Sequence, residues 1–309
     1  MRRGQSGINC LVAVDKPQGL SSHDVVGRVR RAVGERRVGH AGTLDPAATG
    51  VLVVGIGQAT RLLGLLSADS KSYEAWVEFG SQTDTDDAEG RVVRVAEVPD
   101  RLRDPDGAAR ALASLVGEHD QLPPAFSAIS VGGRRAYEAA RAGSPLELEA
   151  RHVRIMRAEL LGIGSEGPLT WHCLFEVSKG TYIRSIARDL GAALGSAAHL
   201  SGLRRTSAGN VGLVDCAGLE LLEELGSAGL ADLRLDPCRA LGLPVRELAA
   251  DELDVVVCGR RLRASGGDVA DGQSCCLVHD GRLLGVWERS GGWLRCGSNF
   301  PQGIDGVAR

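Results

Sequence analysis

The chain has 309 residues, 43% of them hydrophobic, and a formal net charge of −3. This length and hydrophobic content are enough to bury a core, which excludes a generally disordered protein. The net charge excludes a uniformly basic nucleic-acid binder. Residues 1–40 nevertheless hold eight Lys or Arg against three acids, 8 − 3 = +5. From charge alone, a solvated face explains this excess as well as an RNA-facing surface does.

The N-terminal segment predicts a buried strand followed by an amphipathic helix. Ile8 to Val14 is a short apolar run that ends at the turn signal Asp15-Lys16-Pro17-Gln18-Gly19. Ser21 or Ser22 offers an N-cap for a helix with valines on one side and arginines on the other. We find no signal-peptide core, no transmembrane run and no cysteine pair with zinc spacing. We therefore expect a cytoplasmic protein that uses no metal or cofactor.

The stretch from Gly39 to Gly50 reads G-H-A-G-T-L-D-P-A-A-T-G and precedes an apolar run, a predicted strand. Its glycines and proline predict a shaped loop instead of a regular helix or strand. The one carboxylate in it, Asp45, stands beside Pro46, which restricts the backbone there. By itself, an Asp in such a loop is more typical of a turn former or a helix cap than of a catalytic group.

The middle of the chain predicts short helices between strands. The predicted helices are 58–66, 108–116 and one that Thr181 can cap, and the predicted strands are 71–80, 92–98, 151–163 and 169–178. Tyr73 is the first inward residue of the strand at 71–80, in which apolar and polar residues alternate. The acidic segment 82–90 is not an EF-hand calcium loop, because its glycine is misplaced.

The chain changes character after about residue 240, where short apolar runs alternate with Gly and Arg turns. Asp280-Gly281 is a hairpin signal between two of these runs. The predicted strands are Leu253 to Cys258, Ser274 to His279, Leu283 to Glu288 and Trp293 to Cys296.

Two motifs resemble the TruB family, the bacterial tRNA pseudouridine-55 synthases. G-H-A-G-T-L-D-P-x-A-T-G-V-L begins at Gly39, and S-K-G-T-Y-I-R-S-[IL]-x-x-D-L-G begins at Ser178. Further segments match along most of the first 210 residues. The resemblance implies an α+β pseudouridine-synthase fold over residues 1–240, with a mixed, largely antiparallel central sheet and flanking helices. It also implies a small PUA-like RNA-binding β-domain over residues 241–309, for which an oligomerisation module is the alternative.

The resemblance assigns roles to single residues. Asp45 would be the essential catalytic carboxylate, and Arg184 the cation that keeps it ionised. Lys16 would support the loop structurally, although a phosphate contact is also open to it. The other substrate-binding residues would be His40, Tyr73, Tyr182 and Leu203. An inward strand residue, a core leucine and an exposed helix charge are the ordinary alternatives for Tyr73, Leu203 and Arg184.

Residues 122–150 resemble the family's mobile flap, which clamps the RNA stem-loop. Ser130 stands where the family usually has a lysine that contacts a phosphate. Arg134, Arg135 and Arg141 would supply the RNA-binding charge, although an ordinary basic surface helix has the same composition. The acidic segment 82–90 matches a family turn whose carboxylates could hold a basic side chain of the site, but the sequence does not say which one.

The implied function is isomerisation of uridine to pseudouridine at position 55 in the T loop of tRNA, with the base flipped out of the loop. The enzyme would be a monomer that needs no cofactor, no membrane and no obligatory protein partner. Two alternatives stay open: a non-catalytic tRNA-binding or folding chaperone, and a guide-dependent rRNA pseudouridylase. A small-molecule enzyme has the least support, since no phosphate loop or dinucleotide fingerprint is present.

Overall fold

The computed structural model describes residues 6–67, 70–127, 129–164, 166–267 and 269–308. The strands there are β1 (Cys10–Lys16), β2 (Val38–Ala41), β3 (Thr49–Ile56), β4 (Lys71–Phe79), β5 (Ser81–Thr83), β6 (Val92–Val95), β7 (Gly117–Gln121), β8 (Ser130–Val131), β9 (Arg134–Arg135), β10 (Arg151–Ile163), β11 (Thr170–Val177), β12 (Ala198–Ala208), β13 (Val211–Gly212), β14 (Cys216–Gly218), β15 (Arg234–Leu235), β16 (Val245–Glu247), β17 (Leu262–Arg263), β18 (Ser274–His279), β19 (Arg282–Ser290) and β20 (Trp293–Asp305).

Short helices lie between these strands. The α-helices are α1 (Ser22–Val33), α2 (Leu63–Leu66), α3 (Pro105–Ala113), α4 (Ala136–Arg141), α5 (Ile183–Ala193), α6 (Leu219–Leu225), α7 (Pro237–Leu241) and α8 (Leu253–Val257). Single 3₁₀ turns cover Gly57–Arg61, Asp100–Arg103, Leu213–Asp215, Leu230–Leu233 and Ala250–Glu252. None of the helices in the described ranges is long and apolar enough to span a membrane.

The chain forms two compact units, Met1–Asp69 together with Ser207–Arg309, and Ser70–Thr206. In the first unit, β1 is central because its continuous apolar run is buried on both faces. It pairs antiparallel with β3 over its whole length and parallel with β14. From β20, which pairs with β1 at Cys10, the sheet continues through β19 and β18 to β16.

The second unit has a sheet in the order β12-β4-β11-β10-β7. In β4, the side chains of Tyr73, Ala75, Val77 and Phe79 are buried and alternate with half-buried residues, which confirms the strand that buries one face. On the neighbouring strand β11, Phe175 lies opposite Tyr73. Together the two units confirm the α+β class with mixed, largely antiparallel pairing and a strand-rich C-terminal region. The compact units follow a different division from the domain boundary at residue 240, which stays a prediction.

Local signals placed several elements correctly. Ser21 is the N-cap of α1, where its hydroxyl accepts from Asp24 N at 3.1 Å and Ser21 N donates to the Asp24 carboxylate at 2.9 Å. Asp280 and Gly281 both have positive φ and form the two-residue turn between β18 and β19. The strand at 92–98 is shorter than predicted and ends at Val95.

Three sequence predictions were wrong. Leu253–Val257 is a helix instead of a strand, because Val256 packs into a core cluster and this tertiary contact outweighs the strand preference of a valine run. The N-cap of α5 is Tyr182 and not Thr181, whose hydroxyl donates to Ser178 O. Gly39 to Gly50 is not loop throughout, since its two ends belong to β2 and β3 and only residues 42–48 form the loop.

The close approach of Gly57 to the N-terminal segment leads to a stability prediction. Gly57 has φ +62°, and a Cβ there would collide with the Ile8 carbonyl oxygen and lie 2.5 Å from Asn9 Oδ1. We expect Gly57→Ala to lower the free energy of unfolding by about 3 kcal/mol. Urea denaturation would measure this loss. Gly64→Ala is the control, because a Cβ at Gly64 meets open space; equal losses in both variants would contradict the argument.

Candidate active site

The loop that carries Asp45 covers residues 42–48, between β2 and β3. Gly42 has φ +80°, which favours glycine where the chain leaves β2. Ala48 N donates to Asp45 O at 3.1 Å, so the backbone turns tightly at Asp45. The Asp45 side chain lies at this turn and is half-buried.

Lys16 holds the C-terminal side of this turn. Its side chain is fully buried, and Nζ donates to the carbonyl oxygens of Pro17 at 2.9 Å, Leu20 at 2.6 Å and Pro46 at 3.1 Å. Gly19 N also donates to Pro46 O, at 2.8 Å. The turn after β1 is therefore tied to the residue that follows Asp45. The Lys16 ammonium group thus donates to three backbone oxygens, and its structural role in the site stays a prediction.

Ser22 holds the N-terminal side of the same turn. Its buried hydroxyl accepts from Leu44 N at 2.8 Å and donates to Leu44 O at 3.1 Å. Ser22 is the first residue of α1, so the start of this helix fixes the residue before Asp45. Asp45 consequently lies between two anchored neighbours. His40 lies in β2 opposite Val54 of β3 and is half-buried.

Tyr73 and Tyr182 belong to the second unit. Tyr73 lies in β4 with 7% of its surface exposed. Tyr182 precedes α5 and is half-buried. The buried side chain of Gln121 fixes the Tyr182 backbone, because its amide donates to Tyr182 O at 3.1 Å and its carbonyl oxygen accepts from Tyr182 N at 2.8 Å. Sequence reasoning missed Gln121, whose position at the end of β7 carries no motif.

Arg184 is the second residue of α5 and is 5% exposed. Its two terminal nitrogens donate to Thr85 O and Phe126 O, each at 3.0 Å. Its Nε lies 3.7 Å from Asp87 Oδ2. The guanidinium is therefore held by the acidic turn and by the segment 122–127. An exposed helix charge, the ordinary alternative for Arg184, does not describe this burial.

The acidic turn is internally bonded around Asp87. Asp87 Oδ1 accepts from the Thr85 hydroxyl at 2.6 Å and from Glu89 N at 3.1 Å. Its backbone oxygen accepts from the Thr83 hydroxyl at 2.6 Å. The sequence left open which basic side chain this turn holds, and the structure shows Arg184 against Asp87 and Arg188 against Asp86.

The remaining predicted residues are more exposed than Arg184. Leu203 lies in β12 and is half-buried. The flap residues Arg134 and Arg135 form the exposed strand β9, and Arg141 ends α4 with its guanidinium 5.8 Å from the Tyr137 ring centre. These three side chains are open to solvent, as a phosphate-binding role requires.

The described residues contain no group of three or more His, Cys, Asp or Glu side chains that could hold a metal ion. What they do provide is a half-buried carboxylate on an anchored turn in one unit, and a fixed buried guanidinium with two tyrosines in the other. A carboxylate of this kind can act as a nucleophile, a base or a stabiliser of positive charge. A fixed guanidinium favours the ionised form of an acid and binds anions.

Comparison with known proteins identifies the family of this chain. The model of the TruB family pseudouridylate synthase N-terminal domain matches residues 30–183. A protein of Mycolicibacterium paratuberculosis named tRNA pseudouridine synthase B is 46% identical over 282 residues, 91% of this chain and 94% of that protein. An Arthrobacter protein of the same name is 44% identical over 298 residues, 92% of this chain and 94% of its own length.

Solved structures agree on the fold. An H/ACA RNP bound to a substrate RNA containing 2'-deoxyuridine matches with a TM-score of 0.69 and 21% identity, over 95% of this chain and 85% of that chain. A Cbf5-Nop10-Gar1 complex matches with a TM-score of 0.69 and 22% identity, over 96% and 86%. With the fold, the family model and relatives that align over nine tenths of the sequence in agreement, the chain belongs to the TruB family of pseudouridylate synthases and is an isomerase.

Proposed function

We propose that this isomerase acts on tRNA and converts the uridine at position 55 of the T loop into pseudouridine. The relatives named tRNA pseudouridine synthase B support tRNA as the substrate. The position in the T loop rests on the motif resemblance. The observation that carries the proposal is the doubly anchored turn at Asp45, since a precisely held carboxylate is the one group that this reaction cannot lack. We further propose a cytoplasmic monomer without an obligatory protein partner.

The reaction rearranges one nucleoside without a redox step. The N1–C1′ glycosidic bond breaks, the uracil turns, and a C5–C1′ bond forms. C5 then loses its proton and N1 gains one, so atoms and electrons balance. Two routes fit a single carboxylate: Asp45 adds covalently to the base or the sugar, or it stabilises a cleaved glycal intermediate.

Asp45 is the proposed catalytic residue, and its anchoring explains how it is aimed. The hydrogen bonds to Leu44 and Pro46 fix the backbone on both sides, so the direction in which the Asp45 side chain leaves the backbone is set. Arg184 is proposed as the cation that favours the ionised form of Asp45. Its own bonds to Thr85 O and Phe126 O hold the guanidinium in place before substrate binds.

Base flipping requires groups that receive the uracil and replace it in the loop. We propose that Tyr73 stacks on the flipped uracil and handles a proton of the sugar. Tyr182 and Leu203 are proposed as apolar walls that exclude water from the intermediate. His40 is proposed to fill the vacated stack or to hold the loop backbone.

RNA binding is proposed for two further parts of the chain. The flap over residues 122–150 would hold the stem through Arg134, Arg135 and Arg141, which are all exposed. The region 241–309 is proposed as a PUA-like RNA-binding domain. It is strand-rich, with β18, β19 and β20 as its longest strands.

The first prediction from the proposed function concerns the catalytic carboxylate. Asp45→Asn keeps the shape of the side chain but removes its charge, so we expect isomerisation to fall by at least about 10⁴-fold, with tRNA affinity within about threefold. Tritium release from a T-arm transcript that carries 5-tritiated uridine measures the rate. Thr43→Ala, which changes an exposed side chain of the same loop, is the control.

Three outcomes of that assay separate the functions. Release from a bare transcript by the wild-type chain, but not by Asp45→Asn, supports the proposal and excludes dependence on a guide RNA. Turnover by Asp45→Asn would remove the carboxylate from its role. Binding without release by the intact chain would favour a tRNA-folding chaperone or a guide-dependent enzyme.

The second prediction concerns the buried ammonium of Lys16. Lys16→Met removes the Nζ donor from Pro17 O and Leu20 O and one of the two donors from Pro46 O, so we expect the free energy of unfolding to fall by about 2–4 kcal/mol. Because Pro46 loses an anchor, the single-turnover isomerisation rate should fall about 10- to 100-fold at unchanged tRNA affinity. Lys179→Met is the control, since Lys179 is exposed. A loss of affinity as the main effect would instead support a phosphate contact.

The third prediction concerns the flap arginines. The variant with alanine at Arg134, Arg135 and Arg141 should bind tRNA more weakly, and the slope of log K against log salt concentration should become shallower by about 2–3. Filter binding between low and physiological salt measures that slope. The matched control carries alanine at three other exposed arginines, Arg103, Arg110 and Arg157. An equal change in the control would show a general charge effect and contradict a specific flap contact.

A further inference from the structure

Helix α5 carries two arginines that bridge the same two segments. Arg184 and Arg188 are one helical turn apart and therefore share a face of the helix. As Arg184 bridges Thr85 and Phe126, so Arg188 bridges Asp86 and Leu122: its Nη1 donates to Asp86 Oδ2 and its Nη2 to Leu122 O, each at 2.9 Å. Both arginines thus join the acidic turn 82–90 to the segment 122–127.

The second of these bridges contains the shorter contact between opposite charges. Arg188 lies 2.9 Å from Asp86, whereas Arg184 lies 3.7 Å from Asp87. A charge-assisted hydrogen bond at 2.9 Å is directional and strong, and an ion pair at 3.7 Å is neither to the same degree. Of the two ion pairs that hold the turn against α5, the stronger is therefore the one that the proposed chemistry does not use.

Asp86 is built into the turn in a way that depends on this pair. It is 5% exposed and has φ +60°, a conformation that non-glycine residues seldom adopt. Its backbone oxygen accepts from Leu200 N of β12 at 3.0 Å. Burial raises the pKa of Asp86, and the charges of Arg188 and Arg184 oppose that rise. A buried carboxylate of this kind is stable in its ionised form only while a cation faces it.

Arg188 has a further partner that provides an internal comparison. Its Nε donates to Asp189 Oδ1 at 2.8 Å, but the Asp189 side chain is 54% exposed. An exposed ion pair contributes little to position or stability. The two carboxylates that contact Arg188 therefore differ in burial, while the chemistry of the contact is the same.

We propose that Asp86 and Arg188 are positioning residues for the isomerisation, because their buried ion pair fixes the acidic turn against α5 and thereby fixes the guanidinium of Arg184. This inference rests on the role proposed above for Arg184. Neither residue contacts the substrate. Both act through the carbonyl of Thr85 and the carboxylate of Asp87, the groups of the turn that hold Arg184.

The test is a set of single-turnover measurements with enzyme in saturating excess over 5-tritiated T-arm transcript. Asp86→Asn removes the charge and retains a residue that tolerates positive φ. We expect Asp86→Asn and Arg188→Gln each to lower the rate constant about tenfold or more, with the Kd for the transcript within about twofold of wild type. The double variant should be no slower than the slower single variant, because the two residues act as one unit. Asp189→Asn is the control and should stay within about twofold of wild type.

A second cycle separates positioning from loss of folded protein. A variant that is merely less stable has fewer active molecules, but its rate constant at saturation is unchanged. Asp86→Asn combined with Arg184→Lys should be no slower than Arg184→Lys alone, since the effect passes through Arg184; a general structural defect would multiply the two losses. Thermal unfolding gives an independent check, as Arg188→Gln leaves Asp86 unpaired and should be less stable than the double variant.

The outcomes distinguish this inference from the function on which it rests. Rate constants within twofold of wild type in Asp86→Asn and Arg188→Gln, multiplicative losses in either cycle, or a loss confined to Kd would overturn the positioning role while leaving the isomerase intact. Absence of release by the wild type would overturn the proposed tRNA substrate and this inference with it.

Discussion

The loop that carries Asp45 depends on one buried ammonium group. Lys16 is fully buried, and its Nζ donates to two carbonyl oxygens of the turn after β1 and to one of the loop that carries Asp45. Taking an ammonium out of water costs a large amount of free energy unless each donor is satisfied. The backbone around it must therefore adopt the one arrangement that supplies three acceptors, and Pro46 O belongs to that arrangement. The position of Asp45 therefore depends on the solvation of a charge at the end of β1.

In the second unit, two arginines hold loop segments in place, as Lys16 does in the first unit. Arg184 and Arg188 each present a planar fork, and a fork can join two segments that lie on either side of it. The segments joined are the acidic turn and residues 122–127, which belong to the proposed flap. Side chains of α5 thus hold two loops in place. In the first unit, the Lys16 side chain holds the turn after β1 and the loop that carries Asp45.

The sequence predicted elements well where a local signal coincided with the tertiary environment. Ser21 and Asp24 form a capping box that needs no distant partner, and the alternation in β4 follows from burial of one face. It failed where distant contacts decided the outcome. The valines of Leu253–Val257 favour a strand locally, but Val256 packs into a core cluster as part of a helix. Gly39 to Gly50 contains breakers, yet pairing with β3 draws its first residues into β2.

The candidate site shows the same limit. Asp45 and Arg184 stand in motifs, so resemblance alone could single them out. Gln121, Asp86 and Arg188 stand in no motif that names a partner, and their contacts span 61 to 102 positions along the chain. No periodicity or spacing in one sequence encodes such pairs. They become visible only when β7, the acidic turn and α5 are placed in space.

The three-carbonyl environment of Lys16 also bears on the cation usage of the whole chain. Of the 36 Lys and Arg residues, 33 are arginines and only three are lysines, so almost every basic position carries an arginine. At position 16 the two cannot be exchanged. A guanidinium is wide and flat, and its donors lie in one plane, whereas the oxygens of Pro17, Leu20 and Pro46 surround a single nitrogen atom. Arginine would have to push the turn at Asp45 outward to enter, so a change that conserves charge would still displace the carboxylate. Size and shape, in addition to charge, set the tolerance of this position.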